Sequence, residues 1–376
     1  MPEEIRPLRE AEALEDAYLS EFAFQYELTD EEREQRVKHV LPEQILGYFV
    51  DGTLAAKAIF LPLKVYIAGK LFAMSGVAGV ATWPEHRRGG KVARLLRQGL
   101  VDMRARGESV SMLHPFSFAF YRRYGWELTF ERKQMELTVH QLPRFSAPGW
   151  TFTRTEERTR LAPIYDAYAA QYNGMLARDA TWWETRVGRR QRVQIALCID
   201  ANGNERGYII YHVKDEVFTA VECVYLDEEA RRALWTFIAN HDSMARTFKI
   251  LAPVRDSLPF LLPDPRVKQE IISYFMARIV DVKAFLAAYP FTSPAVLAVT
   301  VEDADAPWNN GTFSTGASGQ PAAQVSCDIQ TLTAMFFGYQ RPRQLHRLGR
   351  LTGSEDAIAA WEAAIAQHEP FLLDFF

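Results

Sequence analysis

Arg87-Arg88-Gly89-Gly90-Lys91 sets three positive charges around two glycines. The run stands between a β-rich stretch and a helical one. At such a junction, backbone N–H groups and the positive end of the helix dipole converge on one spot. Glycine lets a ligand reach that backbone with no Cβ in the way. The chemistry on offer is anion binding, on the scale of a pyrophosphate. Other chemistry-bearing residues are dispersed: Cys198, Cys223 and Cys327 form no C-x-x-C pair, and the eight histidines form no H-x-x-x-H pair. Neither a metal centre nor a redox dithiol is expected, and the cysteines read as buried thiols.

Positioning this turn takes a strand before it and a helix after it. Leu71–Val80 is the strand. Val92, Leu95, Leu96, Gly99, Leu100 and Met103 recur at helical spacing up to the stop at Gly107, and Ser109–Leu113 follows as the next strand. The result is one β-α-β unit. Upstream, Leu54–Ile59 and Lys64–Ile67, punctuated by Pro62 and Gly69, predict an antiparallel meander. Downstream, a short helix at Phe118–Arg123 and a hairpin-like pair, Trp126–Leu128 with Lys133–Val139, close a first domain at residues 1–148.

Residues 149–285 repeat the theme, with strands at Val193–Ile199, Arg206–Val213 and Val217–Tyr225, a helix at Glu229–Ala239 and a strand at Thr247–Leu251. Their turn reads Asp227-Glu228-Glu229-Ala230-Arg231, acidic and without glycine, and should repel a phosphate. A third domain, 286–376, carries a strand at Val296–Val301, a Gly/Ser/Pro-rich loop at Gly311–Gln324 and two C-terminal helices.

The composition fits a chain folded throughout, with 376 residues of which 48% are hydrophobic. Lys plus Arg number 43 against 47 Asp plus Glu, a net charge of −4, so the surface as a whole is a poor match for nucleic acid. Met1–Arg9 lacks an apolar core and no run of about 18 apolar residues occurs, which predicts no secretory signal, no membrane span and a cytoplasmic location. Met1–Arg36 holds twelve acidic residues against four basic ones. With Asp374 near the other end, this suggests a mouth that attracts cations. Phe24, Tyr26 and Trp83 are candidates to enclose a bulky amine by cation–π attraction.

The stretch from Val77 to Leu96, VAGVATWPEHRRGGKVARLL, resembles the acetyl-CoA motif of GNAT-superfamily N-acetyltransferases, R/Q-x-x-G-x-G/A. Arg87 and Gly90 fall at the motif's spacing, and Val92 stands where many members have Gly or Ala. Together with Phe120-Tyr121-Arg122-Arg123-Tyr124-Gly125-Trp126 and the apolar C-terminus, the full length is similar to the Eis-type (enhanced intracellular survival) acetyltransferases. That resemblance implies an α/β (α+β) chain of tandem GNAT folds followed by a sterol carrier protein-like domain. It also implies acetyl-CoA as acyl donor, with Val80, Ala81 and Thr82 along the pantetheine arm and the backbone of Arg88, Gly89, Gly90, Lys91, Val92 and Ala93 on the phosphates. Phe116 and Ser117 would stand at the thioester.

The resemblance further makes Tyr121 the acid that protonates the departing thiolate, with Tyr124 its rival, and the Phe376 carboxylate the base. A phenol beside Arg122 or the basic turn would have its anion favoured. Acetyl would pass directly, with no covalent enzyme intermediate, to a primary amine of an aminoglycoside or polyamine, or to a lysine side chain. A closed homo-oligomer, often a hexamer, is implied too. The alternative from another class is a non-catalytic protein that holds a lipid or small molecule in its C-terminal domain.

Overall fold

In the computed structural model, which describes residues 2–188, 192–316 and 321–376, the first third of the chain forms seven strands. They are β1 (Glu3–Pro7), β2 (Ile45–Val50), β3 (Thr53–Ile67), β4 (Lys70–Thr82), β5 (Val110–Leu113), β6 (Glu127–Leu128) and β7 (Glu131–Thr138). The helices among them are α1 (Ala13–Phe24), α2 (Asp30–His39), α3 (Lys91–Ala105) and α4 (Phe118–Arg122). The middle supplies β8 (Thr151–Arg154), β9 (Gln194–Ile199), β10 (Glu205–Lys214), β11 (Val217–Tyr225), β12 (Thr247–Ala252), β13 (Lys268–Ser273) and β14 (Met276–Ile279). The last segment adds β15 (Leu297–Glu302), β16 (Gly311–Ser314), β17 (Ala323–Asp328) and β18 (Thr352–Gly353).

These strands make three sheets, ordered β1-β2-β3-β4-β5-β14-β6, β13-β7-β12-β11-β10-β9-β8 and β16-β15-β17-β18. The boundary expected at 148 does not separate the first two sheets, because two strands cross it, whereas the third sheet lies wholly after 285. β7 belongs to the second sheet and β14 to the first. One antiparallel pair, residues 127–138 against 268–279, therefore runs through both sheets. At the crossover, Thr129 and Phe130 donate to the carbonyl of Phe275, and Tyr274 donates back to that of Phe130. Trp126–Leu128 and Lys133–Val139 are thus not a hairpin; each pairs with a distant strand.

β3 also departs from expectation by running unbroken through Pro62, which sits opposite Ser75. The physical reason is that β2 reaches only as far as Ile59 along β3, so the missing N–H of Pro62 deprives no partner strand. The Gly311–Gln324 stretch starts as strand β16 and ends in β17. Its residues 317–320 lie outside the described ones.

α3 buries Leu95, Leu96, Gly99, Leu100 and Met103 against the first sheet, the face its periodicity marked. The third layer is filled by its own aromatics: Phe336, Phe337 and Trp361 are fully buried. Leaving the apolar C-terminal run in water would cost about 1.5–3 kcal/mol per large side chain, and Phe371, Leu372 and Phe376 are all buried. The run threads between the two large sheets. Phe371 donates to the carbonyl of Asn173, and Arg132 donates to the carbonyls of Leu372 and Leu373 at 2.9 and 2.7 Å.

Candidate active site

β4 and β5 run parallel only from Met74 to Val77, opposite Val110 to Leu113, and then part. Beyond the parting, β4 bulges against β3 at Gly79-Val80, where Gly79 takes a φ of +55°. A side chain at Gly79 would meet Ile59 at 2.6 Å, so glycine is needed at this bend. The stretch of β4 past Val77 therefore has an edge that β5 does not cover. α3 starts in line with it. Gly90, at φ +73°, is the N-cap, with no side-chain cap and no acidic residue in the first turn; Arg88 precedes it at φ +64°. Uncapped N–H groups with Lys91 beside them make a cradle for a phosphate.

A cavity of about 540 Å³ opens where β4 and β5 part. It brings together Val80 on β4, Phe116 and Tyr121 from the segment after β5, Phe24 and Tyr26 at the end of α1, and Phe376. Phe116 is exposed and stacks near Phe120 and Tyr121, at centroid distances of 5.1 and 5.4 Å. The ring of Phe376 lies 4.8 Å from that of Phe275. It also covers Gly76, where a Cβ would come within 2.8 Å of it. Ala81 and Thr82 continue β4 past the cavity, and Val92 and Ala93 form the first turn of α3.

Several residues depart from expectation. Burial pushes the Tyr121 phenol up, with no neighbouring cation to favour its anion. Arg122, expected to acidify it, is exposed and paired with Glu127 at 2.8 Å. Tyr124 lies beyond the end of α4 and does not line the cavity; Arg97 sits 5.8 Å over its ring. Ser117 is the N-cap of α4, accepting from the N–H of Phe120 at 3.3 Å, and does not line the cavity. Trp83 turns away as well, packing on Phe22 at 5.0 Å in the cluster under α1.

Asp374 does not face an acceptor. It is buried, bonded by Arg178 at 3.0 Å, Trp182 at 2.8 Å and Tyr165 at 3.1 Å. The acidic start is largely consumed by partners too: Glu12 pairs with Arg6, Glu21 with Arg33 and Asp16 with buried Lys57. No Asp or Glu side chain is among the cavity's lining residues.

Among the lining residues that were not sequence candidates, three carry polar side chains, namely Ser20, Arg36 and His114. His114, at the carboxyl end of β5, is held below the ordinary histidine value by burial and by Arg132. A lone histidine right after a β-α-β unit was the available signal.

The second sheet repeats the parting, with β11 leaving β12 after Ala220 and Ile250. A cavity of about 530 Å³ opens there, lined by Arg132, Arg178, Glu222 and Asp374. The helix behind it, Glu228–Ala239, is capped by Asp227, whose carboxylate accepts from the N–H of Ala230 at 2.8 Å and so occupies the place of a phosphate. Only the first of the two partings faces an open helix N-terminus.

Twin sheets that part at their central parallel pair, one of them in front of a glycine-opened helix, define an acyl-CoA-dependent acyltransferase fold. Residues 4–129 and 174–279 each match a family model described as an acetyltransferase (GNAT) domain, and residues 282–373 match a sterol carrier protein domain. The chain is 26% identical to an "uncharacterized N-acetyltransferase" of Streptomyces griseus, over 82% of this chain and 83% of that one. A crystal structure from Enterococcus faecalis described as a probable N-acyltransferase superposes with a TM-score of 0.90 at 28% identity, covering 100% of both chains. Eis1 from Mycobacterium abscessus shares the fold, with a TM-score of 0.84 at 24% identity and 100% of both chains covered. The chain is an N-acetyltransferase built of two GNAT domains and a sterol carrier protein domain, and its fold implies acetyl-CoA as donor.

Proposed function

We propose that the first GNAT domain transfers acetyl from acetyl-CoA directly to a primary amine, in the manner of the Eis-type enzymes. The reading rests on one observation: Val80, Phe116, Tyr121 and Phe376 line a single cavity where β4 and β5 part, in line with the open start of α3. The backbone of Val80, Ala81 and Thr82 pairs with the pantetheine amides, and the N–H groups of Arg88 to Ala93 hold the pyrophosphate. The carboxylate of Phe376 takes a proton from the amine as its nitrogen attacks the thioester carbon. Tyr121 gives its phenolic proton to the sulfur as the C–S bond breaks. Its burial supports this role, since a phenol pushed up is fully protonated at neutral pH and available to donate.

The test is release of free thiol from acetyl-CoA with aminoglycosides, linear polyamines, lysine peptides and simple aromatic amines as acceptors. Absence of release with every amine would overturn the reading in favour of a ligand-holding C-terminal domain, although Phe336, Phe337 and Trp361 already fill that layer. Tyr121→Phe is expected to lower kcat by roughly 100-fold with the KM for acetyl-CoA unchanged; an unchanged kcat passes the role to Tyr124 or to water. Gly90→Val places a Cβ at φ +73° in the phosphate cradle, so the KM for acetyl-CoA should rise at least about tenfold while kcat at saturation is kept. An unaltered KM would remove the turn from the donor site.

His114 supports a second base, because it lines the same cavity and its surroundings disfavour the charged imidazolium. If His114→Gln costs as much kcat as blocking the Phe376 carboxylate, the role passes to the imidazole. The reading extends to a cytoplasmic enzyme and a closed homo-oligomer. Exposed Phe260 and Met244, at 89% and 59%, support the oligomer, and native mass spectrometry counts its copies.

A further inference from the structure

One cation of the acceptor cavity has no part in the chemistry above. Arg36, on α2, donates from Nη1 to the Tyr26 hydroxyl at 2.8 Å and from Nη2 to Ser20 Oγ at 2.9 Å. Its Nη2 reaches Asp16 only at 3.4 Å, and its buried Nε has no partner. Asp16 is already matched: the Lys57 ammonium, fully buried, bonds its carboxylate and, at 3.0 Å, its backbone carbonyl. Burial brings Lys57 down to about 8, which leaves it mostly protonated at pH 7. Two cations share Asp16, and Glu21, the other carboxylate that acts on Arg36, is already bonded by Arg33. The remaining wall is largely apolar, with Phe24, Ile59, Val77, Phe116 and Phe375, and carries no carboxylate side chain. A polycation entering here would meet the charge of Arg36, with only the terminal carboxylate of Phe376 to balance it.

We propose that the acceptor is a zwitterion, an amine on an apolar body that also carries a carboxylate, and that Arg36 binds the carboxylate while the amine faces the carboxylate of Phe376. The amine half rests on the function proposed above; the anion half rests on Arg36 alone. One cation and one terminal carboxylate in an apolar cavity are the complement of such a molecule. A guanidinium on the cavity wall, its side chain 34% exposed, also suits a carboxylate better than any neutral group.

The experiment compares pairs that differ only in the acid: 4-(aminomethyl)benzoate with benzylamine, and phenylalanine with phenethylamine, alongside spermidine and an aminoglycoside. Thiol release gives kcat/KM, and calorimetric titration gives binding whether or not turnover occurs. With the wild type, at least one acid member should exceed its neutral partner at least tenfold. Arg36→Gln should erase that advantage through KM and leave the KM for acetyl-CoA unchanged, with Arg36→Lys recovering part of the loss. Preference for the neutral amine or for spermidine, or an Arg36→Gln loss equal for both members of a pair, overturns the proposal. Acid-selective binding without any thiol release would uphold Arg36 and overturn the transfer reading instead.

Discussion

Extending the chain by a few residues past Phe376 is expected to lower kcat by about 10²–10⁴-fold, the range a positioned proton acceptor contributes, while the KM for acetyl-CoA and the melting temperature stay near wild type. The extension turns the α-carboxylate of Phe376 into an amide, which accepts no proton from the amine. What holds the tail lies before it. Arg132 bonds the carbonyls of Leu372 and Leu373, the Tyr274 hydroxyl donates to that of Asp374 at 2.7 Å, and the Asp374 side chain is clamped by Arg178. The added residues leave through the mouth where Phe24 and Phe116 are exposed, so the fold has no reason to yield. The donor site on β4 and α3 uses nothing from the tail. Steady-state kinetics with and without a cleavable C-terminal extension, repeated after cleavage, give the answer. Full activity of the extended protein would end the role of Phe376, and activity that fails to return on cleavage would assign the loss to damage.

What was legible in the sequence was what is local. The strand, basic turn and helix around Gly90 are contiguous, each with its own period or breaker, and all three stand where the residues place them. The acidic turn at Asp227 likewise stands at a helix start, where a capping carboxylate is a short-range signal. The strand exchange is not local: β7 looks like the close of a hairpin because nothing near it reveals that its partners are β12 and β13. Asp374 was misread for the same reason, its partner Arg178 being 196 positions away. Arg122 was misread because adjacent helix residues point apart. Arg36 has no local signal to set it apart, and only folding against α1 turns it toward Tyr26 and the cavity.

Arg178→Met should cost about 3–5 kcal/mol of stability, the range for breaking a buried ion pair by removing one partner. Arg178 is buried and bonds two buried carboxylates, Asp374 at 3.0 Å and Glu222 at 2.9 Å, with Tyr165 stacked 3.9 Å beneath it. Burial opposes its charge, yet the two carboxylates hold it well above the ordinary arginine value. Without the guanidinium, two like charges share a buried site that keeps Trp182, Tyr165 and Tyr208 as their donors. The defect is read from denaturant midpoints of variant and wild type. Replacing Asp374 by Leu in the same chain removes one of the stranded charges and should restore part of the loss. Because Asp374 anchors the segment that carries Phe376, the single variant should also lose kcat while still binding acetyl-CoA. An Asp374→Leu second change that restores no stability would mean that packing under Tyr165, and not the stranded carboxylates, is what Arg178 supplies.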